Sequence, residues 1–368
     1  MAAGYGEQTK AAQSYSGGEF VAQKTETVDQ VQKLRTSIKE KQTDNLYVFY
    51  GEETFLLHHY LEQLKKLLID PLTESFNYNK LTKENFELRN LADAVESLPM
   101  MAEHTLVWVD DIDIFKLPES DREKLAEVLS DSPDYCTVVF TFETVEWKPD
   151  KRLKKLWDAI SQNSTIVEFA KQSQRDLIAW VTRHFAANKK RITPDLCSYL
   201  IDITGGTMTA LSGEISKICA YSGAENITKS DIDAVTEPVL DAVVFQMTDL
   251  MGEGNYGAAL LKLRQLLQMQ NDPLSILGAI GAHFRRIGTA RTLIDNGKTA
   301  ETLMQLCGIR DYPARKMMAS TKRFSARFCA RAAELIMETD HNIKTSYDEP
   351  ERLLELLLLQ LAREARNG

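Results

Sequence analysis

The residues best placed to do chemistry follow the first apolar run. Leu46-Tyr47-Val48-Phe49-Tyr50 leads into Gly51-Glu52-Glu53-Thr54-Phe55-Leu56-Leu57-His58, where a phosphate-cradling loop would read GxxxxGK[ST]. In such a loop the glycines let backbone N–H groups wrap the phosphates and the lysine neutralises them. Here the second glycine and the lysine are missing, and two glutamates would face the phosphates, so like charges oppose binding. Glu52 and Glu53 are sufficiently explained by the positive end of the helix that follows. Leu106-Val107-Trp108-Val109-Asp110-Asp111 has the strand-then-acid pattern that can hold a magnesium ion. Without a triphosphate to share that ion, Asp110 and Asp111 read as strand-end acids, solvated or capping the next turn. Asp113 lacks a histidine or further carboxylate spaced to complete a metal cluster. His58 and His59 are adjacent and so diverge on a helix, and His104, His184, His283 and His341 are isolated. The five cysteines, Cys136, Cys197, Cys219, Cys307 and Cys329, have no zinc or redox spacing and suit a reducing cytoplasm. No GxSxG elbow, Cys-His arrangement or hydrolase acid pair is present.

Two further groups could grip a partner. In Leu98-Pro99-Met100-Met101 the proline blocks continuation of the preceding helix and leaves three apolar side chains on a short turn before a strand. Spacing alone favours tucking them beneath a sheet; the alternative is a wedge, for which methionine's flexible, polarisable side chain is well suited. Arg323, Arg327 and Arg331 recur every four residues beside Arg315, Lys316 and Lys322, which predicts a basic stripe on a helix. Such a stripe is a solvated face or a contact for DNA or an acidic partner.

These groups need elements to position them. At 368 residues, with 43% apolar and 26% charged side chains, the chain has material for more than one globular core. Its longest greasy stretch, Leu353 to Ala362, is broken by Glu355 and Gln360 and falls short of the roughly 20 apolar residues a bilayer span needs. A net charge of −9 leaves no global field for polyanions, so any DNA contact must be local or supplied by partners. Residues 1–25, rich in Gly, Ala, Gln and Ser without an apolar block, are expected to be a disordered tail.

A polar helix is predicted from Val28 to Lys41, then the strand at Leu46 to Tyr50. Leu57, Tyr60, Leu61, Leu64, Leu67 and Leu68 then mark one face of a helix. Further strands are predicted at Thr105 to Val109, Thr137 to Phe142 and Thr165 to Phe169, with a charged helix from Glu119 to Leu129, so the sheet is expected to be mainly parallel. Beyond Lys171 only helical spacing remains. Thr236-Glu237-Pro238, after the helix start at Thr228-Lys229-Ser230-Asp231, marks a further boundary. The expected plan is α/β plus all-α: an α/β domain over 26–170, a small helical domain over 171–238 and a larger helical one over 239–368.

Taken in order, these segments resemble the delta subunit of the bacterial DNA polymerase III clamp loader, a member of the AAA+ structural class without a working nucleotide site. The likeness spans about Leu46 to Ala362. It rests on Leu46 to Leu56, on Leu98-Pro99-Met100-Met101-Ala102-Glu103-His104-Thr105-Leu106-Val107, on Leu211-Ser212-Gly213-Glu214-Ile215-Ser216-Lys217-Ile218, and on Asp340-His341-Asn342-Ile343-Lys344-Thr345 leading into Leu353 to Leu361.

The resemblance implies an AAA+-like domain with a clamp-binding turn, a small helical lid and a C-terminal helical collar. By position the family's clamp-inserting pair falls on Met100 and Met101, with Leu98 beside it, although many relatives carry aromatic residues there. It further implies that the turn holds the beta sliding clamp open for loading onto primed DNA. The gamma/tau subunits and delta prime are the implied partners, this chain binds no cofactor, and ATP and Mg are expected only on partner subunits. Leu353, Leu354, Leu356, Leu357 and Leu358 would supply apolar surface to the collar. Two rival readings make distinct predictions. An active AAA+ ATPase would bind and turn over ATP by itself, and a stand-alone DNA-binding protein would bind DNA tightly and salt-sensitively without partners.

Overall fold

The structure is a computed structural model that describes residues 30–367. The tail expected over residues 1–25 lies outside the described residues. Two compact units divide at Lys171 and Gln172.

The first unit begins with a helix at residues 30–40 (α1). Then follow β1 (Leu46–Tyr50), α2 (Thr54–Leu68), α3 (Glu74–Asn77), β2 (Tyr78–Leu81), α4 (Leu88–Glu96) and β3 (Thr105–Asp110). After a 3-10 turn at Ile114–Lys116 come α5 (Glu119–Ser130), β4 (Cys136–Phe142), α6 (Lys154–Asn163) and β5 (Thr165–Glu168). The strands form one 5-stranded sheet in the order β2-β3-β4-β1-β5, and every pairing is parallel.

The central strands are apolar on both faces, as a sheet covered on both sides requires. Val48, Val107 and Phe140 pack with Leu91 of α4, Leu125 of α5 and Ile160 of α6. Tyr47, Phe49 and Val139 face the other way, onto Leu34 of α1 and Leu57, Leu61 and Leu64 of α2. β2 has no counterpart among the strands expected from the sequence. Tyr78-Asn79-Lys80-Leu81 is a half-exposed edge strand, held by its pairing with β3 rather than by an apolar run of its own.

The second unit is helical: α7 (Gln174–Ala187), α8 (Pro194–Ile203), α9 (Met208–Tyr221), α10 (Lys229–Val235), α11 (Leu240–Gly252) and α12 (Tyr256–Gln268). They are followed by α13 (Pro273–Asp295), α14 (Ala300–Cys307), α15 (Asp311–Thr321), α16 (Ala326–Thr345) and α17 (Pro350–Asn367). Side-chain caps fix many of the starts, among them the capping box of Thr228 with Asp231 before α10. The boundary expected near Pro238 falls between α10 and α11, inside this unit.

The leucines of α17 are mostly spent at home, contrary to the apolar surface they were expected to offer. Leu353, Leu354, Leu357 and Leu358 are buried, while Leu356 and Leu359 remain exposed. Leu354, Leu357, Leu358 and Leu361 share one helix face by their three-and-four spacing and close the core around Val243, Leu263 and Phe284.

That core also holds His283, whose ring meets Phe245 and Phe284 edge-on at centroid distances of 5.1 and 6.3 Å. Burial, with the nearby charges of Arg286 and Lys316, pushes its pKa from 6.5 down to about 3. The folded state therefore refuses a proton that the unfolded chain accepts below 6.5. The stability this neutral ring confers is complete above that pH and is lost as pH falls toward 3. Between neutral pH and about pH 4.5, the native protein should lose about 2–3 kcal/mol more stability than His283→Leu. Urea titrations of both proteins at each pH check this; parallel curves would sink it.

Candidate functional site

Leu91 and Val95 pin α4 to the sheet, and at Ser97 the chain leaves the helix with an extended ψ of 123°. Pro99, which lacks an N–H, follows two residues later. The turn beyond it is at the surface rather than under the sheet: Leu98 is 73% exposed, Met100 55% and Met101 95%. Met101 adopts a left-handed φ of 54°, uncommon for a residue with a side chain.

Behind the turn stands Asn77, wholly buried at the end of α3. Its side-chain oxygen accepts from the Met100 N–H at 2.8 Å, and its Nδ2 donates to the Met100 carbonyl at 2.9 Å. Leu72 and Phe76, in the segment that delivers Asn77, are exposed as well. Neither they nor Asn77 stood out in the sequence. The available signal was two large apolar side chains in an otherwise polar, aperiodic stretch, Asp70 to Asn77.

The carboxyl ends of β1, β3 and β4, where open α/β sheets take their ligands, are occupied by the protein's own groups. Gly51 has φ 128°, and a Cβ there would lie 2.4 Å from the Phe169 carbonyl oxygen. The same carbonyl accepts from the Glu53 N–H at 2.9 Å, and the Phe169 N–H donates to the Tyr50 carbonyl at 2.7 Å. An amide that a phosphate loop would aim at its ligand is thus already engaged.

Asp110 accepts from the Thr141 hydroxyl at 3.0 Å and pairs with Lys80 at 2.9 Å. Asp111 accepts from the amides of Glu143, Thr144 and Val145 at 3.0, 3.0 and 2.8 Å, from Lys83 Nζ at 2.9 Å, and from the Thr144 hydroxyl. Desolvation alone would raise its pKa. The hydrogen bonds from Thr144, Val145, Lys83 and Glu143 together outweigh it and hold the carboxyl well below the usual range. The loop so tethered carries Trp147 onto Tyr50, Phe115 and Phe142, at centroid distances of 6.0, 5.5 and 4.7 Å. Glu143 reaches His58 of α2 at 2.8 Å. Asp113 pairs with Lys116 at 2.7 Å, and no metal-holding cluster of His, Cys, Asp or Glu occurs among the described residues.

The basic residues do not form one stripe on one helix. Arg315 lies on α15, Lys322 and Arg323 in the turn after it, and Arg327 and Arg331 on α16. Ser325 caps α16, accepting from the Phe328 N–H at 3.1 Å, so the four-residue spacing is broken before it begins. Acids of the same unit neutralise most of the set: Arg315 with Asp311, Lys316 with Asp249, Arg323 with Glu253, and Arg331 with Glu334 and Glu338. Lys322 and Arg327 are exposed, without an ion-pair partner among the described residues.

Both units match sequence models of one family. The model described as "DNA polymerase III, delta subunit" covers residues 47–170, and the one described as "DNA polymerase III delta subunit, C-terminal domain" covers 241–361. The chain belongs to the DNA polymerase III delta subunit family.

As a delta subunit it is a clamp-loader protein and a component of the DNA polymerase III holoenzyme. It is 23% identical to the DNA polymerase III subunit delta of Bacillus subtilis over 89% of this chain and 95% of that one. It is 22% identical to the probable DNA polymerase III subunit delta of Aquifex aeolicus over 77% and 81%. The solved Bacillus subtilis DNA clamp loader delta protein superposes with a TM-score of 0.60 at 22% identity, covering 90% of this chain and 99% of that one. The fold is the expected α/β plus all-α one, a parallel-sheet domain followed by helices, shared with that protein. No helix among the described residues is long and apolar enough to cross a membrane.

Proposed function

We propose that this delta subunit binds the ring-shaped sliding clamp through Leu98, Met100 and Met101 and holds it open while it is loaded onto primed DNA. The observation that carries the reading is the exposure of these three side chains on a turn whose backbone is tied down at Met100. Burying a methionine is worth roughly 1.5–3 kcal/mol, so the pair would supply much of the roughly 8 kcal/mol of a micromolar complex. Residues 171–238 serve as the lid and 239–368 as the collar that meets the gamma/tau and delta prime subunits. Scattered thiols suit a cytoplasmic setting.

ATP and its magnesium are held by those partner subunits, and this chain takes no part in hydrolysis. What supports this is the filled strand-end crevice, with Glu53's amide given to Phe169 and Asp111 committed to the 143–145 loop. Contact with primed DNA comes through the assembly; of the basic set, Lys322 and Arg327 are the side chains left for it, and an overall acidic chain disfavours binding alone. The test is calorimetric titration of the full chain with sliding clamp, and of the purified chain with ATP. Saturable clamp binding and no ATP turnover are expected; indifference to the clamp, or autonomous turnover, overturns the reading.

A further inference from the structure

We infer that Asn77 is a positioning residue, one that never touches the clamp but sets the shape in which the turn meets it. The inference rests on the clamp-binding reading of that turn. An amide side chain excluded from water is costly unless its donors and acceptor are matched. Asn77 is wholly buried, and both ends of its amide are spent on one residue, the N–H and the carbonyl of Met100.

Two antiparallel hydrogen bonds to the same residue act as a strand neighbour would, fixing the peptide planes on either side of Met100. Among the described residues these are the hydrogen bonds that tie the stretch from Leu98 to Glu103 to the rest of the fold. The next residue, Met101, sits at φ 54°, a conformation that persists only where its surroundings hold it. Freed from Asn77, the turn would spread over many conformers, and binding would have to order it first.

The experiment uses the full-length chain with the sliding clamp as probe, well below the melting temperature. It compares native protein, Asn77→Ala, Met100→Ala with Met101→Ala, and the triple variant. Asn77→Ala should weaken clamp binding about tenfold, the scale of two ordinary hydrogen bonds lost from preorganisation. It should add much less once both methionines are gone, with only Leu98 left to position, and it should speed hydrogen exchange at the Met100 amide. A merely structural Asn77 would lower the melting temperature equally in both backgrounds without this non-additivity.

Asn77→Leu, nearly isosteric, keeps the buried site filled but neither accepts from the Met100 N–H nor donates to its carbonyl. It should show the same loss, and it replaces Asn77→Ala should that variant fold poorly. Native affinity in both Asn77 variants, or an unchanged Met100 exchange rate, overturns the assignment. If removing both methionines leaves affinity intact, the clamp-binding reading fails, and the exchange measurement still decides whether Asn77 holds the turn.

Discussion

Replacing Met100 and Met101 together by alanine should weaken binding to the sliding clamp about a hundredfold, with the fold unchanged. Truncation to alanine removes most of each side chain, and about 1–2 kcal/mol apiece is a cautious share of what burial of a methionine is worth. The two losses then sum to the factor stated. Because both side chains largely face solvent, at 55% and 95% exposure, the free protein forfeits little packing, and its stability should move by less than about 1 kcal/mol. Titration calorimetry on both proteins, beside a urea melt, separates the effects. An unaltered dissociation constant would remove the methionines from the interface.

Gly51→Ala should destabilise the protein by about 3–5 kcal/mol, a loss large enough to threaten expression at growth temperature. Two costs coincide there. The new Cβ would lie 2.4 Å from the Phe169 carbonyl oxygen, a backbone atom that cannot swing aside as a side chain can. The backbone itself stands at φ 128°, outside the range that L side chains readily adopt. A glycine kept to embrace phosphate would cost nucleotide affinity when replaced; this one should cost folding free energy, read as the shift in urea midpoint. A midpoint within error of the native value would show that the β1–α2 turn tolerates a side chain.

The first βα unit was legible in the sequence because Leu46 to Tyr50 is apolar on both faces, with Gly51 and a one-faced helix behind it. The parallel sheet followed from the same signal at β3 and β4. β2 was not legible, since an edge strand such as Tyr78-Asn79-Lys80-Leu81 is half wet and draws its order from the neighbour it pairs with.

Position gave Leu98, Met100 and Met101, although spacing favoured their burial. Their exposure depends on how α4 meets the sheet, which no local pattern encodes. Asn77 was out of reach for a similar reason, because its partner lies 23 residues away. Asp110 and Asp111 were read as strand-end acids, and Asp111 does serve a turn, but that turn belongs to a loop 32–34 residues downstream. The arginines misled because a four-residue spacing implies a shared face only within one helix, and Ser325 starts a new one.

The Trp147 loop, sealed over the strand ends by Asp111, has a consequence for timing. A motor domain cycles because its cleft is alternately vacant and charged, and each visit of fuel resets its shape. On the proposed reading, a domain whose strand ends carry its own tryptophan, packed on Tyr50, Phe115 and Phe142, would have no such cycle. Under the proposed function it would transmit a push without generating one, and the rhythm of ring opening would be set by its neighbours.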